Sequence, residues 1–178
     1  MLSFPRAAIT LVDKRMARLP DRFDLWVRKA RGTVDPERQM DWVLGAVIAL
    51  TEVYFLNVGT RVSPRIARTE IAPHDCALVF TGLDRLEEFV TEQIPARLGP
   101  EHELPVIASP TPAALRWCAE SGIGLVLNPG VGEAAAVPPD GVAAFLTEWS
   151  ARGGRKAQGF WIPNMTTEEE DFWQENGL

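Results

Sequence analysis

The chain has 178 residues, of which 46% are hydrophobic and 24% are charged, and its formal net charge is −6. This length and composition are typical of one globular domain with short extra segments, and they exclude a disordered chain. Two cysteines are too few for a disulfide framework. No apolar run is long enough to cross a bilayer, and charged residues interrupt the N-terminus where a secretory signal needs its apolar core. We therefore expect a cytoplasmic protein without a transmembrane segment.

Charge is distributed unevenly along the chain. Residues 1–34 carry eight basic and three acidic side chains, whereas residues 166–178 carry five acidic and no basic ones. The middle of the chain is acidic, which argues against nucleic acid as a partner because nucleic acid needs a basic face. The basic N-terminal segment could contact an anionic membrane or partner, fold against the acidic tail, or simply remain solvated.

The N-terminal part of the chain has helical periodicity. Apolar residues recur at helical spacing over 9–19 and again over 23–30, which predicts one or two short basic helices. Asp35 followed by Pro36 predicts the start of a third helix, because proline at the first helical position loses no hydrogen bond. We assign residues 1–34 to a basic helical arm that precedes the main domain.

The main domain, residues 35–152, alternates strands and helices after its first helix. Apolar and β-branched runs predict core strands, and a run that contains proline predicts an edge strand or hairpin arm. In chain order, we expect a strand at 51–58, the edge or hairpin segment at 60–70, a strand at 76–81, a helix at 83–94, a core strand at 104–109, a helix capped by Thr111, strands at 123–128 and 133–138, and a helix from Pro139. The predicted fold class is α+β, with a mixed sheet of about five strands flanked by helices and helical arms at both ends.

A stretch rich in glycine and proline covers residues 121–142. Gly122 suits the end of the preceding helix, and Asn128-Pro129-Gly130 is a turn signal in which Gly130 takes a positive φ. A phosphate-binding loop would place its glycines between a strand and a helix N-terminus, whereas these lie between two strands. The pattern favours a structural turn. The alternative is a ligand site near Asn128–Gly132, with His74, Asn128 and Gly130 as its binding residues.

The side chains that commonly carry catalysis form no recognisable motif. His74 and Cys76 are two apart on an extended stretch, so they point the same way and could form a thiol or metal site. The alternative is a loop histidine beside a small core cysteine. The sequence contains no nucleotide-binding, zinc-protease or nucleophile-elbow fingerprint. We expect no cofactor, no bound metal and no catalytic residue.

Three stretches of the main domain read ALTEVYFL, ALVFTGLDRLEEFV, and GIGLVLNPG followed by VPPDGVAAFL. Together they resemble the N-terminal domain of the SseB family of bacterial proteins, over about residues 44–149. The N-terminal arm and the tail after residue 152 depart from the family pattern. The resemblance implies the order of strands and helices given above and a bacterial source. No reaction is established for that family, so the resemblance implies no chemistry.

Residues 153–178 form an acidic tail rich in aromatic side chains. Thr166 and Glu169 have the spacing of a capping box, which predicts a terminal helix. Large aromatic side chains are typical of interfaces, so Trp161, Phe172 and Trp173 are candidate interaction residues. The tail either packs on its own domain or docks on another protein or a second copy of the chain. The sequence favours a non-catalytic protein-interaction or regulatory module, with a small-ligand binder or enzyme as the alternative.

Overall fold

The computed structural model describes residues 22–94, 105–153, 162–164 and 166–176. Within these ranges the chain forms six helices and six strands, so the α+β class predicted from the sequence is confirmed. In chain order the elements are α1 (Arg22–Arg31), α2 (Pro36–Ile48), β1 (Glu52–Leu56), β2 (Arg68–Ile71), β3 (His74–Phe80), α3 (Leu83–Gln93), β4 (Val106–Pro110), α4 (Thr111–Ser121), β5 (Gly124–Leu127), β6 (Ala135–Val137), α5 (Pro139–Ala151) and α6 (Thr167–Asn176). None of the described helices combines the length and apolar character that a membrane crossing requires.

The six described strands form one mixed sheet. Five of them lie in the order β4-β1-β3-β5-β6, and β2 pairs with the N-terminal half of β3. β1 pairs antiparallel with both β3 and β4, and β6 pairs antiparallel with β5. β3 and β5 are parallel, with Cys76 opposite Gly124. A parallel pair needs a long crossover, which α3, β4 and α4 supply.

Alternating side chains along the strands divide the core into two clusters. Val53 and Phe55 of β1 belong to the larger cluster, which they share with residues of α1, α2, α4 and α5. Leu56 and Phe80 belong to the smaller cluster, which α3 covers through Leu86. The sheet therefore has α3 on one face and the other helices of the domain on the opposite face.

Two predicted helix boundaries are confirmed. α2 begins at Pro36, and the Asp35 side chain accepts a hydrogen bond from the Glu37 backbone N–H at 3.0 Å. α4 ends at Ser121 and is capped by Gly122, whose φ of 63° lies in the left-handed region that glycine tolerates best. At both ends the capping that the sequence predicts is present in the structure.

Two predictions about residues 104–111 are wrong. The strand predicted to lie in the core, β4, is at an edge of the sheet and pairs only with β1 among the described strands. Thr111 does not cap α4, because the helix begins at Thr111 itself and its backbone N–H donates to the Thr51 carbonyl at 3.2 Å. Pro110, the last residue of β4, is still paired with Glu52. The strand therefore runs directly into the helix and leaves no separate capping position.

α1 contributes to the main core, although the sequence analysis assigned it to an arm. One face of the helix is between 0% and 3% exposed and consists of Phe23, Trp26, Val27 and Ala30. These side chains pack with α2 in the larger cluster. The helix predicted over residues 9–19 lies outside the described residues. The described part of the segment predicted as an arm therefore packs into the larger core cluster.

Candidate functional site

Asn128 joins the C-terminal ends of the parallel strands β3 and β5. Its side chain is fully buried, its Oδ1 accepts the Thr81 backbone N–H at 3.0 Å, and its Nδ2 donates to Thr81 Oγ1 at 3.0 Å. The Asn128 backbone N–H donates to the Val79 carbonyl at 2.8 Å. Both ends of the amide are therefore engaged in holding the two strands together, which makes Asn128 a structural clamp.

The turn after Asn128 has the predicted form. The Val131 N–H donates to the Asn128 carbonyl at 3.1 Å, and Gly130 has a φ of 72°. A Cβ atom on Gly130 would meet nothing closer than Gln93 Nε2 at 3.9 Å. Gly130 is therefore required for its backbone conformation and not for a close approach of another group.

His74 lies far from this turn. It begins β3 and pairs with Ile71, whereas Asn128 follows the last residue of the parallel strand β5. Asn128 lies level with Phe80, six residues beyond His74 along β3. At about 3.3 Å per residue of strand, this separation corresponds to roughly 20 Å. The structure therefore does not bring His74 together with Asn128 and Gly130, the three residues predicted for a ligand site.

Both cysteine thiols are buried. Burial raises the pKa of Cys118 to about 12, and burial, together with the charge of Asp75, also raises the pKa of Cys76. A thiol needs its thiolate form to act as a nucleophile or metal ligand, so neither cysteine is activated. Among the described residues, no three His, Cys, Asp or Glu side chains are grouped closely enough to hold a metal ion.

A buried ion pair that the sequence analysis missed links α1 to α3. Arg85 is 0% exposed and Asp24 is 5% exposed, with Arg85 Nη1 at 2.9 Å from Asp24 Oδ1. The same Asp24 oxygen accepts the Glu133 backbone N–H at 3.0 Å. This ion pair therefore ties both helices to the loop between β5 and β6. The signal available in the sequence was weak: Asp24 and Arg85 each neighbour core residues on an apolar helix stripe.

Gly132 makes the close packing around this ion pair possible. Its φ is 62°, and a Cβ atom built on it would lie 2.5 Å from Arg85 Nη1 and 3.1 Å from Asp24 Oδ1. Neither side chain can move aside easily, because both members of the ion pair are buried. The glycine-rich stretch thus serves two different needs, a turn at Gly130 and a close approach at Gly132.

We expect Gly132→Ala to destabilise the fold more than Gly130→Ala. A left-handed conformation costs an alanine about 1–2 kcal/mol at either position. At Gly132 the methyl group must also displace the buried ion pair, so the total loss should reach about 2–3 kcal/mol. Urea unfolding of both variants measures the difference, and equal midpoints would contradict the close approach at Gly132.

Phe172 docks the C-terminal helix on its own domain. Its ring packs edge-on against Trp26 and Trp42, with centroid distances of 5.3 and 5.8 Å. Lys29 Nζ lies 4.9 Å from the centroid of the Phe172 ring, which adds a cation–π contact. The predicted interaction residue Phe172 therefore contacts its own chain. Trp161 and the side chain of Trp173 lie outside the described residues.

Polar contacts at Arg38 support the same docking. Arg38 Nε donates to Glu169 Oε1 at 2.9 Å, and the predicted capping box is confirmed, because Thr166 N–H donates to Glu169 Oε2 at 2.8 Å. Burial works to raise the pKa of Glu169, but these hydrogen bonds outweigh it and hold that pKa below its ordinary value. Burial raises the pKa of nearby Asp41 to about 6, although Arg38 opposes the shift. The hydrogen bond from Arg38 therefore favours the charged form of Glu169.

A groove of about 470 Å³ lies between α1, α2 and β6, and we call it the helix–strand groove. Its walls are mostly apolar and include Val43, Met40 and Ala135, with Arg31 and Glu37 among its polar residues. Arg31 Nη2 donates to the Ala134 carbonyl at 2.8 Å. The guanidinium is thus fixed beside the edge strand β6.

A second cleft of about 420 Å³ lies between α4, β4 and the connection from β1 to β2. We call it the arginine–tryptophan cleft, and it is lined by Pro64, Arg65, Ile66, Arg68, Ile107 and Trp117. Ile107 lies opposite Phe55 in the sheet, and the Trp117 ring packs edge-on against the Phe55 ring with centroids 6.0 Å apart. The cleft therefore opens on the face of the sheet that α2, α4 and α5 otherwise cover.

Two arginines give this cleft a positive rim. Arg65 is exposed, and Arg68 places its Cζ atom 5.8 Å from the centroid of the Trp117 ring. Arg68 Nη1 also lies 2.9 Å from Asp75 Oδ2, with the two side chains 46% and 51% exposed. No local sequence pattern indicates this cleft, because its residues come from three separate segments: residues 64–68, β4 and α4.

No protein-family model, curated protein or solved structure matches this chain. The resemblance to the SseB family therefore remains a prediction from the stretches quoted above.

Proposed function

We propose that the protein is a non-catalytic protein-interaction module with a regulatory role, and the arginine–tryptophan cleft is the observation that carries the proposal. Tryptophan and arginine are enriched where proteins bind one another, because each offers a large surface with a polar group at its edge. The loop that supplies Arg65 also presents Val62, which is 95% exposed. Membership of the SseB family and a cytoplasmic location are part of the same proposal.

The side chains first considered for ligand chemistry support an interaction module over an enzyme. Asn128 holds β3 to β5 through Thr81, and His74 lies at the other end of β3. Burial and raised pKa values keep Cys76 and Cys118 protonated at neutral pH. These polar and nucleophilic side chains therefore form no joint site, whereas the arginine–tryptophan cleft is open to a partner.

Selection from a random peptide library displayed on phage tests this function. We expect the purified protein to enrich peptides that share a pattern, and these peptides should lose binding to the Arg65→Ser and Trp117→Leu variants. Leucine at position 117 keeps apolar contact with Phe55 while removing the indole ring. Arg116→Ser is the matched control, because Arg116 is exposed on the same helix but does not line the cleft. If no peptide is enriched, or if enriched peptides bind every variant equally, the proposal is wrong.

A small-ligand binder is the second candidate, and the helix–strand groove favours it. Its volume of about 470 Å³ and its apolar walls with a few polar groups are typical of small-molecule sites. The variant Ala135→Phe would fill part of this groove from β6. Ligand-observed NMR with a fragment library should then give hits that bind the wild type and not this variant. Hits that bind both proteins equally would remove this candidate.

A further inference from the structure

The walls of the arginine–tryptophan cleft favour a partner that carries both apolar and anionic groups. Ile66 and Ile107 are partly buried side chains packed against the main core, and they give the cleft an apolar floor beside Trp117. Arg65 and Arg68 stand at the same opening. A binding segment that satisfies both kinds of wall needs one large apolar side chain and at least two anionic groups.

The loop that presents Arg65 is held in one shape before any partner arrives. Asn57 Oδ1 accepts the backbone N–H groups of both Gly59 and Arg65 at 2.9 Å. The Thr60 backbone N–H donates to the Ser63 carbonyl at 3.0 Å. A preorganised loop loses less conformational freedom on binding, which favours recognition by this surface.

Arg68 is held in place by its neighbours, but its guanidinium still has N–H donors that a partner can use. Asp75 and the Trp117 ring hold its guanidinium at the cleft, but both members of the Arg68–Asp75 pair are about half exposed. Exposed ion pairs contribute little net stability, so a partner carboxylate can share the guanidinium at small cost. A guanidinium has five N–H donors and accommodates two carboxylates at once.

Charge complementarity selects an acidic partner. Between Glu52 and Glu70 the chain carries three arginines and no acidic residue, although its net charge is −6. The basic surface is thus local. A long nucleic-acid backbone would extend beyond it onto acidic surface, which would repel the phosphates. A cleft of about 420 Å³ also suits a few side chains better than an extended polyanion.

We infer that the arginine–tryptophan cleft binds a short acidic segment of another protein, with one large apolar side chain on the floor and flanking carboxylates on Arg65 and Arg68. This inference rests on the proposed function and narrows it to one class of partner. The acidic helix α6 of the same chain is not the occupant, because Phe172 holds it against Trp26 and Trp42.

The experiment uses a fluorescein-labelled synthetic peptide rich in Asp and Glu with one central leucine, titrated with the full chain by fluorescence anisotropy. We expect Arg65→Ser to raise the dissociation constant about tenfold, which corresponds to the loss of one charge-assisted hydrogen bond. Arg116→Ser should change it by less than about twofold. A peptide with serine in place of leucine should bind more weakly, and added salt should weaken all binding.

Several outcomes would overturn the inference. Equal affinity of the wild type and Arg65→Ser, or tighter binding of a lysine-rich analogue, excludes an acidic partner at this cleft. Binding of oligo(dT) that Arg65→Ser abolishes would assign the cleft to single-stranded nucleic acid. Concentration-dependent self-association that Arg65→Ser abolishes would assign it to a second copy of the chain. Library peptides that need Trp117 but are not acidic would overturn this inference and leave the proposed function standing, whereas failure to select any peptide would remove both.

Discussion

Replacing Asp24 with alanine is expected to lower the free energy of unfolding by about 3–5 kcal/mol. The variant leaves the fully buried Arg85 guanidinium without the carboxylate that lies 2.9 Å from it. It also removes the acceptor of the Glu133 backbone N–H. A buried charge that loses one carboxylate partner and a backbone donor that loses its acceptor both carry a desolvation cost, so the two losses act together.

Asp75→Ala is the matched control for this experiment. It makes the same substitution in an ion pair with Arg68 of the same length, 2.9 Å, but both partners are about half exposed. We expect it to cost less than about 1 kcal/mol. The double variant Asp24→Leu with Arg85→Met should recover much of the loss, because it removes both buried charges. Urea unfolding gives all three values, and an Asp24→Ala cost no greater than that of Asp75→Ala would refute the importance of the buried ion pair.

Deletion of residues 160–178 should lower the free energy of unfolding by about 3–6 kcal/mol. Ile162 is 1% exposed and the Phe172 ring packs on two tryptophans, and burial of such side chains is worth about 1.5–3 kcal/mol each. The deletion also exposes apolar surface of Trp26 and Trp42. Thermal and urea unfolding of the shortened chain measure the effect, and unchanged stability would show that α6 does not dock in solution.

Single substitutions separate the aromatic from the ionic part of this docking. Phe172→Ala should cost about 2–3 kcal/mol, because it removes the ring that packs edge-on against both Trp26 and Trp42. Glu169→Gln should cost about 1–2 kcal/mol, because the Arg38–Glu169 pair is only 18% and 16% exposed and Glu169 also completes the capping box. If Glu169→Gln proves the more damaging of the two, charge and not aromatic packing decides the docking.

Much of the fold could be predicted from the sequence because it depends on local chemistry. Asp35 before Pro36, Gly122 after α4, and the pair Thr166 and Glu169 each act within a few residues. The Asn128-Pro129-Gly130 turn is likewise set by the conformations that these residues prefer. Such features are readable wherever one side chain satisfies a nearby backbone group.

The remaining features depend on contacts between distant segments. β4 reads as a core strand because its residues are apolar, but it lies at the sheet edge and pairs only with β1 among the described strands. Asp24 and Arg85 are 61 residues apart, and a lone charged residue on a helix usually predicts a solvated position. The arginine–tryptophan cleft combines residues from three segments, with Arg65 and Arg68 in the first, Ile107 in β4 and Trp117 in α4. No periodicity relates such residues, so only the folded chain reveals them.

The Asn128–Thr81 clamp has a consequence for the order in which the chain folds. The two residues are 47 positions apart, and closing a loop of that length costs about 3 kcal/mol of chain entropy before β3 and β5 gain anything from pairing. The β5–β6 hairpin closes over a far shorter connection and can form within microseconds. We therefore expect the parallel pairing to be a late step that waits for α3, β4 and α4. Until then, the apolar β5 strand presents an unpaired edge, and this interval is when newly made chains are most exposed to aggregation.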